Sequence, residues 1–137
     1  MFDRWVIFAL AAVILFGTGS LFGKIASSSD ASSKVYFFEA TGTLTVFSIY
    51  FILKKAEILN NFHFNIFGIL MGICWGLGTV LFITALDKSK LSVLVTFTAL
   101  YPAVTIFLAL IFLEEKLDLK EIVGIILAMA AGLLLIK

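Results

Sequence analysis

Charged residues in this chain fall almost entirely in clusters, and between the clusters run five apolar stretches: Trp5 to Phe22, Val35 to Leu53, Ile66 to Leu86, Leu91 to Leu113 and Ile122 to Ile136. Each approaches the roughly 20 residues that a helix needs to cross a bilayer at about 1.5 Å per residue. That pattern leaves one class of fold. In 137 residues, of which 62% are hydrophobic and 14% charged, apolar side chains far outnumber what one small core can bury, so lipid must solvate the remainder. The expectation is an all-α membrane protein, a bundle of five transmembrane helices over about 5–22, 35–53, 66–86, 91–113 and 119–136, with no soluble domain. Short polar connections make consecutive helices antiparallel neighbours. The first stretch follows an arginine, as in a signal peptide, but Asp3 in the n-region and the lack of an A-x-A site after the apolar run predict that it stays in the mature protein.

The boundaries carry chemical markers. Lys34 at one end of the second span, and Lys54 with Lys55 at the other, suit opposite head-group layers. In "LDLKEIVG", Asp118 and Glu121 form a capping box, with Leu117 and Ile122 placed for a hydrophobic staple, so the fifth helix starts near Leu119. The serine-rich "SSSDASSK", residues 27–34, reads as the flexible connection.

Five spans put the termini on opposite sides. One face carries Arg4, Lys54, Lys55, Lys116 and Lys120, and the other Lys24, Lys34, Lys88, Lys90 and Lys137, five against five. The positive-inside rule therefore assigns no orientation. Such a balance suits a chain that inserts both ways up and pairs with an inverted copy; the alternative is that a folding intermediate or a partner fixes the orientation.

Several residues stand out within the spans. Gly68, Gly72 and Gly76 recur every fourth residue in the third span, as do Gly124, Ala128 and Gly132 in the fifth, and such small-residue ridges let helices pack closely. The first ridge suits packing inside a protomer and the second a contact between protomers. Pro102 removes the N–H that the carbonyl of Thr98 would accept from, so the fourth span should kink. Breaks of this kind occur at transporter substrate sites, and also for packing alone. Tyr101 adds a phenol beside the kink. Glu39 is the one carboxylate well inside a span: either a coupling site, or a side chain that reaches the interface or pairs with Lys34 or Lys24. Mid-span Trp75 shares a helical face with Thr79 and Phe82, either as an aromatic cavity wall or as a groove filler. Thr18, Ser20 and Lys24 give the first span a polar end.

Other classes lose support. A formal charge of +1 without a basic stripe speaks against nucleic acid. No phosphate-binding loop, H-E-x-x-H or G-x-S-x-G occurs, and the lone His63 and lone Cys74 offer no metal or disulfide set. The reading is therefore a non-enzyme without cofactor or metal.

"LSVLVTFTALYPAVTIFLALIFLEEKLDLKEIVGIILAMAAGLLLI", residues 91–136, resembles the second part of an EamA domain of the drug/metabolite transporter superfamily, with its "LYP" motif and "FLxEKL" turn. "GICWGLGTVLFITALDKSKLS" resembles the preceding helix and turn, and "FEATGTL" the second helix. The match is most specific at Tyr101, Pro102, Glu115 and Gly124. In the first helix, Phe16 stands where the family usually has tryptophan before glycine. The resemblance implies that residues 1–137 form a single EamA-like domain, half of a ten-helix inverted-repeat transporter. The other half would be an inverted copy or a sister chain. It further implies a multi-pass protein of the cytoplasmic membrane that moves a small metabolite or drug-like solute by alternating access. Its path would be lined by Trp75, Thr79, Phe82, Thr98, Tyr101 and Pro102, with Glu39 as a possible coupling site. Two alternatives stand beside it: a non-transporting subunit that assists a partner, and a channel, which needs a polar stripe that no span shows.

Overall fold

A computed structural model describes residues 4–60 and 62–134, the side chains of 132 and 133 excepted. Its elements are α1 (Arg4–Ser27), α2 (Ser32–Leu59), α3 (Ile66–Leu86), α4 (Leu91–Thr98), α5 (Tyr101–Phe112) and α6 (Leu119–Leu134). No strand occurs among the described residues. Four stretches are long and apolar enough to cross a membrane: Arg4–Ser27, Ser32–Leu59, Ile66–Leu86 and Leu91–Phe112, the last spanning α4 and α5. They match the first four expected spans. The fifth begins at Leu119 as expected, but its described part has 16 residues, about 24 Å of rise against a hydrocarbon core of about 30 Å.

The chain divides into two compact units, residues 1–88 and 89–137. In the first, α1, α2 and α3 pack pairwise. Hydroxyls inside these apolar helices spend their hydrogens on the carbonyl four residues back, Thr18 on Ile14 and Ser20 on Phe16, both at 2.8 Å. Polar side chains are thus tolerated in a span without a partner helix.

The serine-rich connection differs from the expectation of a flexible loop. Only residues 28–31 separate α1 from α2, in a turn closed by Ser29 N–H and Asp30 N–H to the Ala26 carbonyl, both at 3.0 Å. Helix α2 already starts at Ser32. The serines serve as turn and first helical turn because their hydroxyls, such as Ser28 on the Ile25 carbonyl at 2.6 Å, satisfy themselves locally. At its other end α2 continues past Lys54 and Lys55, with Lys54 and Glu57 paired at 2.7 Å. Its 28 residues amount to about 42 Å, so it tilts or projects from the bilayer.

Helix α3 is capped at both ends. Asn65 Oδ1 accepts from Gly68 N–H at 3.1 Å, one of the four orphan donors of a helix start. At its C-terminus Lys24 Nζ donates to the Leu86 carbonyl at 2.5 Å, placing a cation at the negative end of the helix dipole. A Cβ at Gly23 would come within 3.3 Å of Leu86 Cδ1, so glycine there permits the close approach of α1 to α3. Val35, Ile83 and Leu86, the buried residues of this unit, all lie near that junction, where Ser32 Oγ also donates to Asp87 Oδ2. Most other large apolar side chains are exposed, Phe8 and Leu15 by 70% or more. Water would not tolerate that surface, and lipid or a second protein does.

In the second unit, the break falls at Ala99–Leu100. Ala99 N–H still reaches Val95 O (2.9 Å), whereas Leu100 N–H bonds Phe97 O (3.1 Å) and Ala103 N–H bonds Leu100 O (3.0 Å). The helix tightens to i→i+3 spacing and restarts with Pro102 in its first turn, where a missing N–H costs nothing. The span is thus interrupted more sharply than a kink. Helix α5 ends through Glu114, whose φ of 52° reverses the chain and brings Glu115 N–H to 3.5 Å from the Ala109 carbonyl. The capping box then forms as read: Glu121 N–H donates to Asp118 Oδ1, and Asp118 N–H to Glu121 Oε2, each at 2.8 Å.

Candidate substrate path

In the first unit the residues expected to line a path lie on α3 (Ile66–Leu86), Trp75 and Thr79 near its middle and Phe82 toward its C-terminus. Thr79 Oγ1 donates to the Trp75 carbonyl at 2.9 Å, which uses its hydrogen and leaves oxygen lone pairs as acceptors. Thr79 and Phe82 are half-buried while Trp75 is exposed, so the expected common face is present on the helix but only partly covered. The Trp75 ring stacks on Phe16 of α1, with centroids 6.5 Å apart and planes at 27°. Phe16 was not among the path residues expected from sequence. The sign available was its place beside Gly17 in the middle of the first span. Of the first glycine ridge, Gly76 alone meets another helix: the Tyr36 hydroxyl of α2 lies 3.7 Å from where its Cβ would stand. Gly72 has open space, and Gly68 faces only the Asn65 side chain.

Glu39 is exposed and Oε1 accepts from Thr43 Oγ1 at 3.1 Å, one turn along α2. The ion pair with Lys34 or Lys24 expected as one option is not formed. Lys34 pairs with Asp30 at 3.3 Å, one helical turn away, and Lys24 reaches the Leu86 carbonyl. Both lysines find closer acceptors than a carboxylate farther up the span. A shallow hollow of about 460 Å³ lies over the start of α2, lined by Asp30, Ser33, Lys34, Phe37 and Phe38.

In the second unit the threonine before the break turns back on its own helix. Thr98 Oγ1 donates to Leu94 O and Val95 O, both at 3.0 Å. Tyr101 is exposed. Beside Pro102 opens a cavity of about 220 Å³, lined by Ala99, Leu100, Pro102, Ala103 and Ile106 and, from α6, by Gly124, Ala128 and Met129 among others. Nothing outside its own helix lies within 4 Å of the Gly124 Cβ position. The small residues of α6 therefore leave room opposite the break. Gly132 belongs to α6, but its surroundings lie outside the described residues.

Among the described residues no three His, Cys, Asp or Glu side chains gather as a metal site. A family model, the EamA-like transporter family, matches residues 3–137. The chain is also 28% identical, over 134 residues, to an uncharacterized protein of Methanocaldococcus jannaschii, an alignment that covers 97% of this chain and 96% of the relative. No solved structure matches it.

Proposed function

The chain belongs to the EamA-like transporter family, and from that premise we propose that it is one subunit of a secondary transporter. The subunit moves a small metabolite or drug-like solute across the cytoplasmic membrane by alternating access, as an inverted pair of copies or with an oppositely oriented sister chain. One observation carries this reading: the span Leu91–Phe112 is interrupted at its centre, between Thr98 and Tyr101. Interrupted backbone in a bilayer is stable only where protein, water or solute meets the freed polar groups, and transporters place such breaks at midplane binding sites. The small residues of α6 facing Pro102 supply the space that a break needs if it is to bend during transport.

The pairing rests on the same balance of five basic residues on each face. Reporter fusions at the C-terminus, active on one side only, test it together with labelling of Asn60→Cys in a Cys74→Ala background. Labelling from both faces in comparable amounts supports the inverted pair, and one face only points to a sister chain. Counterflow of a solute panel into proteoliposomes tests transport itself: saturable exchange is expected, and exchange that grows linearly with concentration would sink the carrier reading.

A further inference from the structure

Trp75 has an unusual setting for a large side chain on a helix. The positions three residues before and after it, which normally cover a side chain on the same face, are Gly72 and Gly78, and neither has a neighbouring atom within 4 Å of its Cβ position. Its stacking partner Phe16 is followed by Gly17 and, three residues on, by Gly19, both equally open. Phe16 and Trp75 lie at the midpoints of α1 and α3 and remain 63% and 57% exposed while stacked. The result is a two-ring floor, bridging two helices, with bare backbone on its flanks. The Tyr36 hydroxyl of α2 lies 3.7 Å from where a Cβ of Gly76, the residue after Trp75, would stand, and it makes no hydrogen bond among the described residues. A phenol in a membrane span seeks a partner.

We propose that Phe16, Trp75 and Tyr36 form the specificity site of the transporter, and that it selects a planar, uncharged aromatic solute bearing one hydrogen-bonding group. The assignment rests on the transporter reading for its role in transport, but not for binding itself. Planarity follows from what competes with the site. Lipid tails give an aliphatic solute the same dispersion contacts as a protein wall, so it gains little by leaving the bilayer interior. An aromatic face gains offset stacking that hydrocarbon chains cannot return. Lack of charge follows from the helices that carry the two rings, since residues 5–23 of α1 and all of α3 contain no ionisable Asp, Glu, Lys or Arg, while Glu39, one turn from Tyr36 on α2, is engaged by the Thr43 hydroxyl. The Tyr36 phenol both donates and accepts, so a hydroxyl or carbonyl on the ring suits it.

The test uses the full chain in lipid nanodiscs with Trp5→Phe, which leaves Trp75 as the remaining one of two tryptophans. The probe is 2-naphthol, whose absorption overlaps indole emission, with decahydro-2-naphthol as its saturated counterpart. Energy transfer from Trp75 should saturate with 2-naphthol, and excess decahydro-2-naphthol should not displace it. Phe16→Leu should weaken the affinity about tenfold, as loss of a stacked ring predicts, and Phe16→Trp should retain it. Tyr36→Phe should weaken 2-naphthol severalfold while leaving naphthalene unaffected. The site is overturned if transfer never saturates, if the saturated ring competes equally, or if Phe16→Leu binds as the parent does. Because this assay measures no movement, the two ideas fail separately. Saturable binding without counterflow removes the transporter role and leaves the site, and saturable counterflow of aliphatic solutes without naphthol binding removes the site and leaves the transporter.

Discussion

Glu39 shows how far single residues determine the chemistry open to a span. A carboxylate within a membrane is retained against a cost of several kcal/mol unless it is solvated or paired, and here its hydrogen-bond partner is a hydroxyl, Thr43, rather than a cation. If Glu39 couples transport to protons, Glu39→Gln should abolish the pH dependence of counterflow while the protein still elutes as a folded species. Unchanged pH dependence in that variant would falsify the coupling role. A second residue tests stability rather than function. Glu114 holds a left-handed backbone, φ 52°, which costs a side-chain-bearing residue roughly 1–2 kcal/mol. Glycine relieves that strain at an entropic cost of about 0.5–1 kcal/mol. Glu114→Gly should therefore raise stability by up to about 1 kcal/mol, read as a higher midpoint in thermal unfolding in detergent. The carboxylate at 39 was visible in the sequence because one charge interrupts an apolar run. Glu114 was not, because nothing in "FLEEKL" distinguishes which residue will turn the chain.

At the scale of elements, the helices were legible wherever the signal was local. The Asp118–Glu121 capping box could be read because both partners sit within four residues, and both its bonds form. Asp118→Ala should cost about 1 kcal/mol, measurable in the same thermal assay. It should also increase amide exchange in the first turn of α6. The break at Pro102 was legible in kind, since proline must remove one bond, but its extent is set by the i→i+3 bonds around Leu100, which no sequence pattern announces. Pro102→Ala should let α4 and α5 join into one helix. The expected result is a folded protein that exchanges solute about tenfold more slowly, the rate change that about 1.4 kcal/mol on the barrier produces once the bend is lost. Retained exchange rates with a continuous helix would remove the break from the mechanism. What the sequence did not disclose was the joint between elements. Gly23 against Leu86, Lys24 on the Leu86 carbonyl and Ser32 on Asp87 are contacts between residues more than fifty positions apart, and no periodicity along one helix announces them.

For the whole molecule, the governing fact is that the described helices bury almost none of their apolar side chains, although the family match covers nearly the full chain. Lipid or a second protein can solvate such surfaces, and on the proposed reading a second, inverted domain supplies the path its shield from lipid. Under that proposal orientation is the controlling variable, because an inverted pair needs both insertions from one sequence whose basic residues are balanced five to five. Each Lys or Arg near a span end biases insertion, so small changes should separate the two populations. Asn60→Lys with His63→Lys makes the balance seven to five toward the face of Arg4, and Ser29→Lys with Ser89→Lys makes it seven to five toward the face of Lys24. Each double variant expressed alone should insert in one orientation and lose counterflow. Co-expressed, the two should restore it, since each supplies the orientation that the other lacks. Full activity from either variant alone would mean that the functional unit is not an inverted pair, because a single orientation would then suffice to build the path.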